Sequence, residues 1–402
     1  MTAFERLGRF CARRRWLVIA AWGLLALVAL PLAPRAPGVL RSGGFSLDDL
    51  EAAETRQTLI SELDAPSSVL AIVIQSRTEA RAGDPAFESA VLAIIADVPS
   101  VDAVRGILTH RLAPNQVSDD GRTVYELVSL GLPPDGAPDA VGPVQAALHD
   151  VSSMTTYLAG GPVFYGDVQI VSEHDLQRSE LISLPLAALA LLLVFGSVVA
   201  AGVPVIVGGI AVLVALAAIY LVALVTPMSI FVLNLATLLG FGLGVDYALL
   251  LSSRFREELV LRGGGRGCDG SLDRQVIEDA VGMTVATAGR AAFFSGVTVL
   301  LGLIGLILFE FMVLRSVGIA GAIVVGFALV AAVTLLPAVL AVIGPRLDAW
   351  RVPFPRRAAK PEGEGAWARL ANWVMDRPIR VFVPTLAILL VLGLPFLHVR
   401  FN

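Results

Sequence analysis

The residues best suited to chemistry stand at 240–247, GFGLGVDY, in an apolar run that continues as ALLLSS. Asp246 places a carboxylate in a segment otherwise composed for hydrocarbon. An ionised Asp costs roughly 2.5–3.5 kcal/mol near the centre of a membrane helix, so a chain that keeps one generally uses it. Burial disfavours a carboxylate's charge and a nearby cation or donor favours it. A carboxyl group balanced between the two can take a proton from one side and release it to the other. Tyr247 adds a hydroxyl that can donate to Asp246 or hold a water. The pair reads as a proton relay driving a conformational cycle. The competing reading is a structural carboxylate satisfied by a neighbouring helix.

Gly240, Gly242 and Gly244 precede the pair, and Gly240 with Gly244 forms a small-xxx-small face. Such a face lets a neighbouring helix backbone approach closely, and is expected to surround Asp246 with protein rather than lipid. The G-x-G-x-G lacks the spacing and βαβ context of a dinucleotide fingerprint. Ser295 and Thr298, in AAFFSGVTV, can hydrogen-bond across helices and line a cavity, although hydroxyls in membrane helices usually bond to their own backbone. Arg290 sits where a helix enters the apolar region and snorkels; Glu310 belongs to the turn FEFMVLR. GGGRGCDG (263–270) lacks the Lys-Ser/Thr of a phosphate-binding loop and reads as a flexible link. The two cysteines, Cys11 and Cys268, lie far apart, and His110, His149, His174 and His398 show no ligand spacing. No metal, organic cofactor, nucleic-acid partner or enzymatic activity is expected, and the proton is the only coupling ion.

The elements that must position Asp246 are membrane helices. Of 402 residues 56% are hydrophobic and 16% charged, with a mean hydropathy of +0.78, whereas soluble domains are about 25% charged. Seven apolar stretches have the length of a spanning helix, at about 16–34, 181–201, 203–225, 228–251, 291–312, 316–343 and 379–399. On these bounds Asp246 lies roughly 9 Å past the midpoint of its span, deep enough to be desolvated. Pro185 falls in the first turn of the second span. Pro337, in TLLPAVL, kinks the sixth, either for packing or for gating.

Orientation follows from the basic residues. Residues 1–15 hold five Arg, 253–290 six, and 345–380 seven plus Lys360, the one Lys. One crossing per span puts all three on one side, which makes that side cytoplasmic. Segment 33–180, with 21 Asp or Glu against nine Arg, then lies outside. Its pattern predicts a helix at 46–64 capped by Ser46, a strand at 68–75, a helix at 84–98, strands at 101–109 and 122–130, a helix at 138–151 and a strand at 154–160. That order is the split βαβ, or ferredoxin-like, unit. The domain plan is residues 1–34 for the N-terminus and first span and 35–180 for the extracytoplasmic α+β domain. Spans two to six follow at 181–344 with a helical loop at 253–290, then a linker at 345–378 and a seventh span at 379–402.

RFCARRRWLVIAAWGLLALVALPL (9–32) and WVMDRPIRVFVPTLAILLVLGLPFL (373–397) share an aromatic, a short basic stretch, an apolar span and a Pro-Leu or Pro-Phe ending. Internal repeats of this kind are common in secondary transporters. The alternative is that any two outward-running spans look alike.

GLGVDYALLLSSRFREEL (242–259), TVATAGRAAFFSG (284–296) and VTLLPAVL (333–340) together resemble the MMPL branch of the resistance–nodulation–division transporters. The resemblance covers nearly the whole chain. It implies an α-helical polytopic membrane protein of twelve spans in two halves, a porter-type domain in each, and proton-driven export of lipids or other hydrophobic molecules across the bacterial inner membrane. It carries Asp246 and Tyr247 over as half of a proton relay, and Ser295 as lining the same cavity. The chain departs in lacking a second Asp-Tyr pair, so the expected partners are membrane lipids, a hydrophobic substrate, and either a homo-oligomer or a missing second half. Two other functions stay open: a lipid- or sterol-sensing module without transport, and a helper in protein secretion.

Overall fold

The computed structural model describes residues 2–41, 51–262, 273–350 and 366–394. Ser46, Cys268, Lys360, His398 and the link at 263–270 lie outside them. The chain divides into two compact units, Met1–Val352 and Pro353–Asn402.

The first unit begins with α1 (Ala3–Arg13), capped by the Thr2 side chain, and α2 (Arg15–Ala29), with Arg14 at the joint. α3 (Glu51–Leu63) leads into β1 (Ser68–Ser76), α4 (Pro85–Ile94), β2 (Val104–Leu108), β3 (Thr123–Leu130), α5 (Val141–Ala146) and β4 (Met154–Ala159). The strands form one antiparallel sheet in the order β2-β3-β1-β4. This is the split βαβ arrangement expected from the pattern. Its register follows the alternation of apolar residues: Leu70, Ile72 and Ile74 of β1 and Val124, Val128 and Leu130 of β3 pack against Phe87, Val91 and Ile94 of α4 and Val144 of α5. Both helices are shorter than the pattern predicts. Pro99 lies in the 3-10 turn Val98–Ser100 beyond α4, and the stretch from Ala137 to Ala140 is 3-10 rather than α.

Gly160 (φ 109°) alone separates β4 from α6 (Gly161–Phe195), and a Cβ there would come within 3.3 Å of the Val69 carbonyl oxygen. α6 is continuous for 35 residues, so Pro185 lies in its interior and not, as expected, in a first turn. The break before α7 (Val198–Ala223) falls at Gly196, in the left-handed region, and at Ser197, whose hydroxyl accepts from the Ala200 amide. The sequence expectation put that break at residues 201–203. After α7 come α8 (Val232–Leu261) and α9 (Arg274–Thr284), then a π turn at Val285–Gly289 that passes directly into α10 (Arg290–Ile307).

α11 (Met312–Val333) and α12 (Leu335–Ile343) meet at Thr334 (φ −124°, ψ −64°). Pro337 explains a break three residues before itself: it has no N–H to give the Val333 carbonyl. The Cys11 thiol approaches that carbonyl instead, at 4.0 Å. Burial pushes this thiol up to about 11, so it stays a protonated donor. Arg15 donates to the Ala341 carbonyl at 2.9 Å.

Among the described residues, five helical segments are long and apolar enough to cross a membrane: Arg15–Arg35, Val198–Ala223, Val232–Leu261, Arg274–Ile307 and Met312–Ile343. Leu181–Phe195 and Pro378–Gly393 are shorter apolar helices at the expected second and seventh spans. The second unit holds α13 (Ala366–Asp376) and α14 (Pro378–Gly393). One residue, Arg377, separates them, as Arg14 separates α1 from α2.

Candidate functional site

α8 carries both the relay candidates and the glycines, and its faces do different jobs. The inner face is built for close approach: a Cβ on Gly244 would sit 2.9 Å from the Gly208 Cα of α7, and one on Gly240 would sit 2.6 Å from Val212. These two glycines therefore clamp α8 to its neighbours on the side away from Asp246. They do not enclose the carboxylate as expected. A Cβ on Gly242 would meet nothing, because Leu238, Gly242, Asp246 and Leu250 form an exposed stripe at four-residue spacing that the described residues of the first unit leave uncovered.

Asp246 projects from that stripe into a cavity of about 300 Å³. Ser183 and Ala187 of α6, Val205 of α7, and Thr237 and Phe241 of α8 line it. Thr237 spends its hydroxyl on the Leu233 carbonyl at 3.1 Å. Among the described residues no hydrogen bond or ion pair holds the Asp246 carboxylate. The expected enclosure of Asp246 by protein is not found among the described residues, where its side chain is exposed.

Tyr247 points the other way and is 6% exposed. A Cβ on Gly296 of α10 would lie 3.1 Å from its hydroxyl. Ser295 is the hydroxyl neighbour of that group, yet no hydrogen bond of ordinary geometry closes between them. Asp246 and Tyr247 thus lie back to back, one facing a cavity and one facing α10. Thr298 bonds its own helix, donating to the Phe294 carbonyl at 2.9 Å. Arg290 stacks over the Phe294 ring at 5.9 Å.

The SSRFREEL stretch prolongs α8 past the apolar run, and its charges are structural. Glu258, buried, receives Arg254 at 2.5 Å and also Arg262. Arg256 pairs with Asp348 at 2.7 Å and lies 4.9 Å over the Phe195 ring at the end of α6. α8 is thereby tied to the end of the helix that descends from the sheet.

Sequence reasoning missed a second charged cluster, inside the sheet domain. Glu126 is 0% exposed on the core face of β3. It accepts from the His110 amide at 2.9 Å and pairs with His110 Nδ1 at 2.5 Å. His110 Nε2 meets Glu88 of α4 at 3.0 Å, and Arg111 reaches Glu88 at 2.5 Å. The signal was present: in TVYELVSL, Glu126 occupies the same alternate register as Val124, Val128 and Leu130.

Residues 46–381 match the model of the MMPL family. A membrane protein of Streptomyces coelicolor is 34% identical over 407 residues, covering 98% of this chain and 54% of that protein. The mycolic acid-containing lipids exporter MmpL11 of Mycolicibacterium smegmatis is 29% identical over 406 residues, covering 97% of this chain and 40% of the relative. A heavy metal efflux pump of known structure shares the fold, with a TM-score of 0.54 at 14% identity over 85% of this chain and 49% of that one. The chain therefore spans about half the length of the relatives it matches, or less.

Proposed function

Because this chain belongs to the MMPL family, we propose that it is the membrane-embedded and substrate-receiving portion of a proton-driven exporter of lipids or other hydrophobic molecules. Asp246 is the proton carrier. Tyr247 fixes the α8–α10 contact behind it, its hydroxyl facing Gly296. The Arg-rich ends lie in the cytoplasm of a bacterial cell, the sheet domain lies outside the plasma membrane, and the proton is the only coupling ion.

The observation that carries this reading is the free carboxylate on the uncovered stripe, beside a cavity shared with α6. A carboxylate held by fixed donors stays charged, whereas one facing open space can change protonation as water or a second bundle approaches. α6 supplies the link to work. It runs unbroken from Gly161, one residue from β4, to Phe195, where Arg256 of α8 holds it. Protonation at Asp246 alters how α8 packs against α6, and α6 carries the shift to the sheet. In the working transporter a second bundle with its own carboxylate covers the stripe. The lipid class draws support from the exporter name of the Mycolicibacterium relative.

The test is export of a fluorescent lipid driven by an imposed pH gradient, with Asp246→Asn and Asp246→Glu made in the full transporter. Gradient-driven export is lost in the Asn variant at normal membrane levels and partly retained in the Glu variant. Full export by Asp246→Asn ends the proposal.

A further inference from the structure

One apolar groove lies well apart from Asp246, between α2 and α11, with a volume of about 580 Å³. Val18 and Trp22 form its floor, both buried, and Leu25, Phe327 and Val330 its walls. Its polar groups are spent on each other. Trp22 Nε1 donates to the Thr334 hydroxyl at 3.1 Å, and that hydroxyl donates to the Val330 carbonyl at 2.5 Å. Nothing in the groove is left to bind water, so its surface suits hydrocarbon.

A cation stands one helical turn before the first groove residue, Leu17. Arg14 stands at the joint of α1 and α2, exposed, and its side chain makes no hydrogen bond or ion pair among the described residues. Its neighbours are committed: Arg13 to Glu278 at 3.1 Å and Arg15 to the Ala341 carbonyl at 2.9 Å. Trp16, 66% exposed, marks the depth of the lipid headgroups, where indole rings settle. The groove starts one residue further, at Leu17, and reaches Leu25. The eight helical steps from Leu17 to Leu25 rise about 12 Å, close to the ~15 Å of one leaflet's hydrocarbon.

We propose that this groove seats one acyl chain of an anionic phospholipid from the leaflet on the Arg-bearing side, with its phosphate held by Arg14. Charge complementarity selects this occupant. A helix of another protein laid in the groove would bring apolar side chains against an unpaired guanidinium, whereas a lipid presents an anion at that end and hydrocarbon along the rest. The site is independent of the proton relay and of the transported substrate.

Native mass spectrometry of the delipidated chain, titrated with phosphatidylglycerol and with phosphatidylcholine of identical acyl chains, tests it. Phosphatidylglycerol is retained preferentially, by about fivefold for one interfacial cation. Arg14→Gln lowers phosphatidylglycerol to the phosphatidylcholine level and leaves phosphatidylcholine unchanged. Gly326→Leu fills the groove and lowers both lipids; a Cβ at Gly326 meets nothing, and an unchanged thermal midpoint shows that the variant keeps the fold. Equal binding of the two lipids by the unaltered chain overturns the proposal, as does unchanged binding by Gly326→Leu. A dimer that Gly326→Leu disperses also overturns it, since the occupant is then a second copy.

Discussion

Glu126 and Asp246 are carboxylates in apolar elements, and the chain treats them in opposite ways. Glu126 lies on the core face of a strand and is saturated: His110 serves both its oxygens, Glu88 takes the other side of the imidazole, and Arg111 closes the row. Charges alternate along it, so no member is buried alone. Asp246 lies on an apolar helix with a cavity before it, and among the described residues no hydrogen bond or ion pair holds its carboxylate. A carboxylate kept for architecture is surrounded by donors; the exchange proposed for Asp246 needs one left without them. Sequence position tells the two apart poorly, because both interrupt apolar patterns.

The largest effect expected is on stability, and it falls on one side of the comparison. Glu126→Ala leaves His110 buried against a vacated partner and costs about 3–5 kcal/mol. Asp246→Asn changes stability by less than about 0.5 kcal/mol, because no hydrogen bond or ion pair among the described residues holds that group. Hydrogen exchange of β1 and β3 reads the first, and thermal unfolding of the whole chain reads both. Similar losses in the two variants would erase the distinction.

pH sharpens the comparison next. Burial opposes the His110 charge, but hydrogen bonds to Glu88 and Glu126 and the charges of both outweigh it, so its pKa lies above the ordinary 6.5. That contribution is complete below 6.5 and is lost as pH rises through the raised value. Burial likewise opposes the Glu88 charge. Hydrogen bonds from His110, the Gly83 amide and Arg111, with the His110 charge, still lower its pKa from 4.5 to about 2. This contribution is complete above 4.5 and fades as pH falls toward 2. The sheet domain is therefore most resistant between about pH 4.5 and 6.5. Protection factors of β3, which divide out the intrinsic pH dependence of exchange, should pass through a maximum there across pH 3–9, and His110→Gln should flatten the alkaline limb.

How far the sequence revealed this depended on the range of the interaction. The sheet order was legible because alternation and turn residues are local, and so was the apolar character of the helices. The break at Gly196-Ser197 carried its own local sign, a left-handed glycine followed by a capping serine. The apolar residues on either side hid it. Pro337 pointed to a kink, but the carbonyl it deprives belongs to Val333, so the bend appears earlier in the chain. The His110–Glu126 contact joins residues that only the β2–β3 pairing brings together. Which way Gly240 and Gly244 face was also beyond a one-dimensional pattern, because a helix has no inside until its neighbours pack.

The smallest effect separates residues two apart in the same glycine run. At Gly244 a methyl group would lie 2.9 Å from the Gly208 Cα, a backbone atom that cannot turn aside. Gly244→Ala must push α7 and α8 apart and costs about 1–3 kcal/mol. At Gly242 the same methyl meets open space and removes a helix-weakening glycine, so Gly242→Ala is neutral or stabilising by up to about 1 kcal/mol. Thermal unfolding of the two variants side by side measures the difference. Equal destabilisation would mean that the stripe bearing Gly242 and Asp246 is already covered by a partner in the purified protein. The open face of α8 would then be an interface, and the freedom ascribed to Asp246 would have to come from that partner's withdrawal.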